Sequence, residues 1–372
     1  MKEFILKELV TSNIELELEK IGFDHAYIKK AVDKFQYKTI KIFDLSIPQA
    51  NILKQTALTF GADCAVHRDV LVNKIDKTNV ILGGSISQIK KICEKLKIQP
   101  FSLKNLSEKI LLELNPQKRN IKLVGILNIT PNSFSDGGLY FKPEDARRQL
   151  FKLIEDGADI IDIGAESTKP YSEAVPTNMQ IERLKPLLKN LPNITISVDT
   201  RCSEVADFAL NNGASIINDV SGGDFDSKMF NIVSKYNASI ILQHSTGKSE
   251  NKIIYKDIIE EIYLNLLTKI NLAKENGIDK IIIDPGIGFG KSKEDNFEIL
   301  NRIEEFYSLN RPLMIGLSRK SFLGIGDNNN ELKDILSTAL AYPLIQKNID
   351  YLRVHNIKYH RQLINSTILH LP

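Results

Sequence analysis

Eight short apolar runs punctuate the last two-thirds of the chain, starting near residues 121, 159, 194, 215, 239, 280, 312 and 351. Each ends in a polar or glycine-rich cluster: Asn128-Ile129-Thr130, Asp162 to Thr168, Asp199-Thr200, Asn218-Asp219, Gln243-His244, Asp284-Pro285-Gly286, Ser318-Arg319-Lys320 and Arg353-Val354-His355. Continuous apolar runs are the pattern of buried parallel strands, which are covered on both faces. Between them lie amphipathic stretches such as Pro143 to Asp156, Asn178 to Leu188, Ser203 to Asn211, Tyr255 to Asn276 and Leu332 to Lys347. Strands alternating with helices imply right-handed βαβ units and a parallel sheet. Eight such units over 121–372 predict an α/β fold, a (β/α)8 TIM barrel, whose chemistry collects at the C-terminal ends of the strands. A doubly wound sheet would need a switch point, which evenly spread polar strand ends do not suggest.

Residues 1–115 follow a different pattern. Tyr37 to Leu45 reads as a strand, and Ser46 can cap a helix from about Ile47 to Phe60. Val80 to Leu82 before Gly83-Gly84 reads as another strand, followed by a helical pattern at Ile86 to Leu96. A small N-terminal α/β domain of unknown role is expected here. The polar segment Asn115 to Asn120 is its linker to the barrel.

Composition adds boundaries rather than identity. The 372 residues carry 42% hydrophobic and 26% charged residues, and the net charge is +3. Lysines and arginines are scattered, which argues against nucleic-acid binding and for local cationic sites. Cys64, Cys93 and Cys202 lie far apart without CxxC spacing, so neither a disulfide framework nor a zinc site is indicated. No apolar stretch approaches membrane-spanning length, and the opening MKEFILKELV lacks the uninterrupted core of a signal peptide. A reduced cytoplasmic setting, with no membrane partner, is the expectation.

Asp162, Asp199, Asn218 and Asp284 end four different strands. One carboxylate at one strand end is commonly a helix cap; several converging on a barrel mouth suit a heterocycle rich in N–H donors. Asp284-Pro-Gly-Ile-Gly-Phe-Gly-Lys291 fits neither a Walker loop nor GxGxxG. Its glycines, Gly288 among them, let backbone approach a ligand closely, and Phe289 can cover a flat ring. Ser318-Arg319-Lys320-Ser321, with Arg353 and His355, makes a late-strand basic rim where a helix starting at Ser321 would receive a phosphorylated ligand. Asn128 offers a neutral oxygen suited to a magnesium ion shared with a diphosphate. Two loops, 130–138 and 166–170, can close over a substrate or serve as plain connections.

Together the segments LNITPNSFSDGG (127–138), DIGAESTKP (162–170), SVDT (197–200), INDVSGG (217–223), IDPGIGFGK (283–291), GLSRKSFLG (316–324) and RVHN (353–356) resemble the dihydropteroate synthase family, in the family's own order. The resemblance implies condensation of 6-hydroxymethyl-7,8-dihydropterin diphosphate with p-aminobenzoate, a transferase reaction in folate biosynthesis. It places Asp199, Asn218, Asp284 and Lys320 on the pterin. Arg353, His355 and Asn128 would hold the diphosphate, the last through Mg2+. Thr168, Phe134, Phe289, Pro170 and Ser321 would frame the aminobenzoate, Lys169 and Gly288 would also touch substrate, and Asp136 belongs to the first loop over a cationic intermediate. It further implies a sulfonamide-sensitive homodimer acting on small molecules only.

Some positions depart from the family pattern. Lys169 stands where Arg is usual, Asn132 and Asn356 replace acids, and Gln243-His244-Ser245 replaces a methionine-rich stretch. Two alternatives share the acidic acceptors: a methyltetrahydrofolate-type pterin methyltransferase, which would not need SRKS and RVH for a diphosphate, and a non-catalytic pterin-binding protein.

Overall fold

The computed structural model describes residues 4–10, 13–72, 74–114, 119–130, 143–166, 175–245, 255–325 and 329–368. The chain forms two compact units, Met1–Gln117 and Lys118–Pro372. Among the described residues no helix is long and apolar enough to cross a membrane.

The first unit holds three antiparallel strands, β1 (Tyr37–Ser46), β2 (Asp63–Ala65) and β3 (Lys77–Ser85), in the order β1-β3-β2. Two of them run straight into helices through the same device. Ser46 N–H donates to Gln49 Oε1 at 2.8 Å ahead of the helix Ile47–Thr59, and Ser85 N–H donates to Gln88 Oε1 at 2.8 Å ahead of Ile86–Leu96. The Ser-Ile-x-Gln spacing therefore closes a capping box twice, satisfying N–H groups that a first turn leaves bare. Leu53, Ala57, Val80, Leu82, Ile89, Ile92 and Leu96 pack between these helices and the sheet. The helices Ile14–Lys20, Ile28–Phe35 and Leu103–Glu113 and the strand β2 also belong to this unit; the sequence reading assigned none of them. They are short, and propensity is a weak guide at that length.

The second unit is the expected barrel. Its strands are β4 (Lys122–Asn128), β5 (Ile160–Gly164), β6 (Thr195–Asp199), β7 (Ile216–Asp219), β8 (Ser239–Gln243), β9 (Ile281–Asp284), β10 (Met314–Gly316) and β11 (Tyr351–Val354). They run parallel in the order β10-β11-β4-β5-β6-β7-β8-β9, and a parallel bridge between Ile283 and Leu313 joins the two ends of that row. A helix follows each strand, from Pro143–Glu155 to Ile357–Ile368.

The period of two along each strand sorts side chains to the inside or the outside of the barrel. Val124, Ile160, Ile216, Ile241, Ile282 and Met314, one from each of six strands, form a separate apolar cluster with Tyr351 packed against it. Two residues further along the same strands stand Asp162, Asn218, Gln243, Asp284 and Arg353. An apolar plug thus floors the barrel, and a polar layer lies directly above it. The register sets Asp199 opposite both Gly164 and Asn218 on its neighbours, so three strand ends meet at one level.

Candidate active site

The polar layer is held together by one arginine. Arg353 Nε donates to Asp162 Oδ2 at 2.6 Å, and Nη2 donates to Asp199 Oδ2 at 2.7 Å. Asn218 Nδ2 donates to the same Asp162 oxygen at 3.0 Å. Asp284 Oδ1 accepts from the Gly286 N–H at 2.7 Å. The strand ends expected to form a ring of ready acceptors are therefore largely engaged with one another, because buried carboxylates without partners are too costly to leave bare.

Burial dominates the electrostatics. It pushes the Asp199 carboxyl up to about 7, against the pull of Arg353 and with the help of Asp162. Burial likewise raises Asp284, opposed by the Gly286 N–H and by Lys320. For Arg353, burial works against the charge, but Asp162 and Asp199 outweigh it and hold the guanidinium above its ordinary range. Burial and the Arg353 charge bring the Lys320 ammonium down to about 8.

Four buried polar atoms at this level have no hydrogen-bond partner among the described residues: Asp162 Oδ1, Ser197 Oγ, Asn218 Oδ1 and Gln243 Nε2. Native interiors rarely leave such groups unpaired, and each one calls for a ligand or water. The set contains acceptors and donors together, which suits a flat heterocycle with both along its edge.

The basic rim is reshaped by its backbone. Arg319 adopts a left-handed conformation, φ 58°, and turns outward into a bidentate pair with Asp334, 2.9 Å at Nε and 2.9 Å at Nη2. Only Lys320 of the two turns toward the carboxylates, so the expected double charge is a single one. Its ammonium lies 4.0 Å from the centre of the Phe289 ring, a cation–π contact. Gly288, at φ +81°, makes room: a Cβ there would stand 3.0 Å from Lys320 Cδ. The expected helix at Ser321 is only the 3-10 turn Ser321–Leu323, too short to offer an N-terminal anion site, and Ser321 is exposed on it. His355, just past the end of β11, meets Ser318 Oγ through Nδ1 at 3.0 Å and through its N–H at 3.2 Å. Asn128, half-buried, ends β4 with its carboxamide oxygen beside Gly164.

One group with no role expected from the sequence supports this rim. Lys291 Nζ donates to the carbonyls of Gly286 at 2.9 Å, Phe289 at 3.2 Å and His244 at 3.3 Å, and burial brings it down to about 7. It ties the glycine-rich turn to the end of β8. Gly286 is indispensable to that turn, for a Cβ at its φ of +74° would overlap the His244 carbonyl oxygen. Asp162, expected among the acceptors for a heterocycle, instead anchors Arg353 and Asn218 through one oxygen.

Phe134, Asp136, Thr168, Lys169 and Pro170 lie outside the described residues, as does Asn132. Among the described residues no group of three or more His, Cys, Asp or Glu could hold a metal ion.

His244 offers a stability test. Burial, then the charges of Lys291 and Lys269, push its imidazole from 6.5 down to about 3. The unfolded chain takes up a proton near 6.5 that the folded protein refuses, so folding stability is full above that pH and falls on acidification toward 3. The slope is about 1.4 kcal/mol per pH unit for one proton. His244→Gln should flatten that limb in urea titrations run across this range; equal acid slopes in both proteins would exclude His244 as its source.

The likenesses to known proteins bear on this rim. The signature of the family described as "Pterin binding enzyme" matches residues 124–355. The bifunctional dihydropteroate synthase/dihydropteroate reductase of Helicobacter pylori is 31% identical over 376 residues, 97% of each chain, so the match takes in the N-terminal unit. A probable bifunctional folylpolyglutamate synthase/dihydropteroate synthase of Haloferax volcanii is 32% identical over 352 residues, 85% of this chain but 41% of that protein. This chain thus spans under half the length of the haloarchaeal relative. The solved structure of Xanthomonas albilineans dihydropteroate synthase with 4-aminobenzoic acid superposes with a TM-score of 0.63 at 33% identity, covering 68% of this chain and 94% of that one. The chain belongs to the pterin-binding enzyme family of the dihydropteroate synthases.

Proposed function

We propose that the chain condenses 6-hydroxymethyl-7,8-dihydropterin diphosphate with p-aminobenzoate, releasing diphosphate and forming 7,8-dihydropteroate. The observation that carries this reading is the buried polar layer above the plug, with its unpaired acceptors and donors beside Arg353 and Lys320. Asp199, Asn218 and Asp284 supply acceptors to the pterin edge, and Lys320 supplies a donor. Arg353 and His355 take the diphosphate. Phe289, over which Lys320 lies, borders the aminobenzoate side with Gly288 and Ser321. Phe134, Thr168, Lys169, Pro170 and Asp136 lie outside the described residues, and their roles toward the aminobenzoate and the cation rest on the family resemblance alone.

The reaction needs no protein nucleophile. The bond between the pterin methylene carbon and the diphosphate oxygen breaks first, and its electron pair leaves with the diphosphate. Arg353 and His355 stabilise the negative charge gathering there. The methylene cation is delocalised into the pterin and faces the carboxylates of the polar layer. The aminobenzoate nitrogen then attacks that carbon and loses a proton. Positioning and fixed charge do the remainder. Asn128 fits a Mg2+ ion shared with the diphosphate: it presents a neutral oxygen at the strand end, and hard ions of this kind take one or two protein oxygens and keep the rest of their shell from phosphate and water. The ion would neutralise leaving-group charge.

A second activity has one observation in its favour. The Helicobacter pylori relative named also as a dihydropteroate reductase matches along the N-terminal unit as well as the barrel. We infer that this unit contributes a reduction of dihydropteroate to tetrahydropteroate, in which a reduced nicotinamide gives up a hydride and is oxidised while the pterin takes a proton from water.

Three measurements address these readings. Purified protein with Mg2+ should release diphosphate from the pterin substrate faster when p-aminobenzoate is present; pterin binding without any release would favour the non-catalytic alternative. Lys320→Ala should weaken pterin binding by about 1.5–3 kcal/mol, the usual worth of a charged hydrogen bond, and unchanged affinity and turnover would remove Lys320 from the site. Full-length protein given dihydropteroate and NADPH should consume NADPH, and no consumption would rule out a nicotinamide-driven reductase.

A further inference from the structure

Arg353 is committed twice. Its Nε holds Asp162, which is fully buried, and its Nη2 holds Asp199 at 2.7 Å. Under the reading above, on which this inference rests, Asp199 is wanted by the pterin edge and Arg353 by the diphosphate. The two ligand parts would compete for the Nη2 N–H and the Asp199 Oδ2 that this pair joins to each other. We propose that this ion pair couples the two halves of the substrate site, so that occupation of the diphosphate position tightens binding of the pterin ring, and the reverse.

The argument is one of shared cost. A diphosphate that draws Nη2 away leaves Asp199 Oδ2 buried and in need of an N–H, since a buried acceptor without a partner is expensive. A pterin N–H supplies it. A pterin that takes Asp199 first frees the Nη2 donor, which then lacks an anion. Whichever part binds first breaks the pair, and the second meets no such cost. Linkage makes the effect reciprocal, and couplings of this kind range from about 5-fold to 150-fold.

Asp162 makes the exchange possible without losing the arginine. It accepts from Nε and from Asn218 through the same oxygen, and its other oxygen is unpaired. The guanidinium stays anchored at one nitrogen while the other changes partner. Asp162 acts here through Arg353 and is a positioning residue. Lys320 and Asp284 stand close enough to act on the same charges.

The test is calorimetry on full-length protein at fixed Mg2+ with two separate probes, 6-hydroxymethylpterin and inorganic diphosphate. Saturating diphosphate should lower the pterin Kd by about ten-fold, within the usual range of such couplings, and saturating pterin should lower the diphosphate Kd by the same factor. In Arg353→Met the factor should fall to near one, with pterin still binding and thermal unfolding still cooperative. Should each probe bind with a Kd indifferent to the other in the natural protein, the coupling is overturned while the site assignment stands. Coupling that persists in Arg353→Met would equally overturn it. Failure of the pterin to bind at all would sink the site itself.

Discussion

The barrel interior depends on one exchange of charge. Asp162 and Asp199 lie on adjacent strands, both removed from water, and two carboxylates so placed repel one another and lose their hydration. Arg353, delivered from β11, answers both with separate nitrogens. Buried pairs of this sort seldom add net stability, because desolvation takes back most of what attraction supplies. Their presence is better explained by use than by stability. A barrel closed only for strength would carry the apolar layer of Val124, Ile160, Ile216, Ile241, Ile282 and Met314 further up its axis.

Around that centre, the rim is shaped chiefly by backbone. The turn after β9 is folded tightly by Gly286 and Gly288 and stitched by the Lys291 ammonium to three carbonyls. The same turn carries Phe289 under the Lys320 ammonium. Thus a cation that burial would otherwise tend to discharge finds a ring face and two carboxylates nearby. The left-handed residue Arg319 sends its own charge the other way, to Asp334, and so separates a structural cation from one that faces the site. Adjacent residues of like charge take opposite roles because one backbone angle differs.

Much of the fold was legible from pattern. Uninterrupted apolar runs and amphipathic stretches alternate because the strands are buried on both faces and the helices on one, and eight such pairs leave little choice but closure. The helix Ile86–Leu96 matches its pattern to the residue, since its capping box and its last apolar position are both written locally. The short pieces of the N-terminal unit were not legible. Ile14–Lys20 buries only Ile14 and Leu18, against Ala31, and the three-residue strand Asp63–Ala65 exists through its pairing with β3. In the site, Asp199, Asn218, Asp284, Lys320 and Arg353 were expected and do converge, whereas the short turn at Ser321 and the outward Arg319 were not foreseen.

Sequence alone determined which polar residues end the barrel strands, because strand period and glycine placement are local properties. Only the tertiary structure decided which of them face one another. That Arg353 meets Asp162, some 190 positions earlier, and that Lys291 reaches back to β8, follow from closing eight strands into a ring. Closure sets interior side chains of distant segments at one height above an apolar floor. The pairing of charges there is imposed by the loss of water, a condition that no stretch of sequence states by itself.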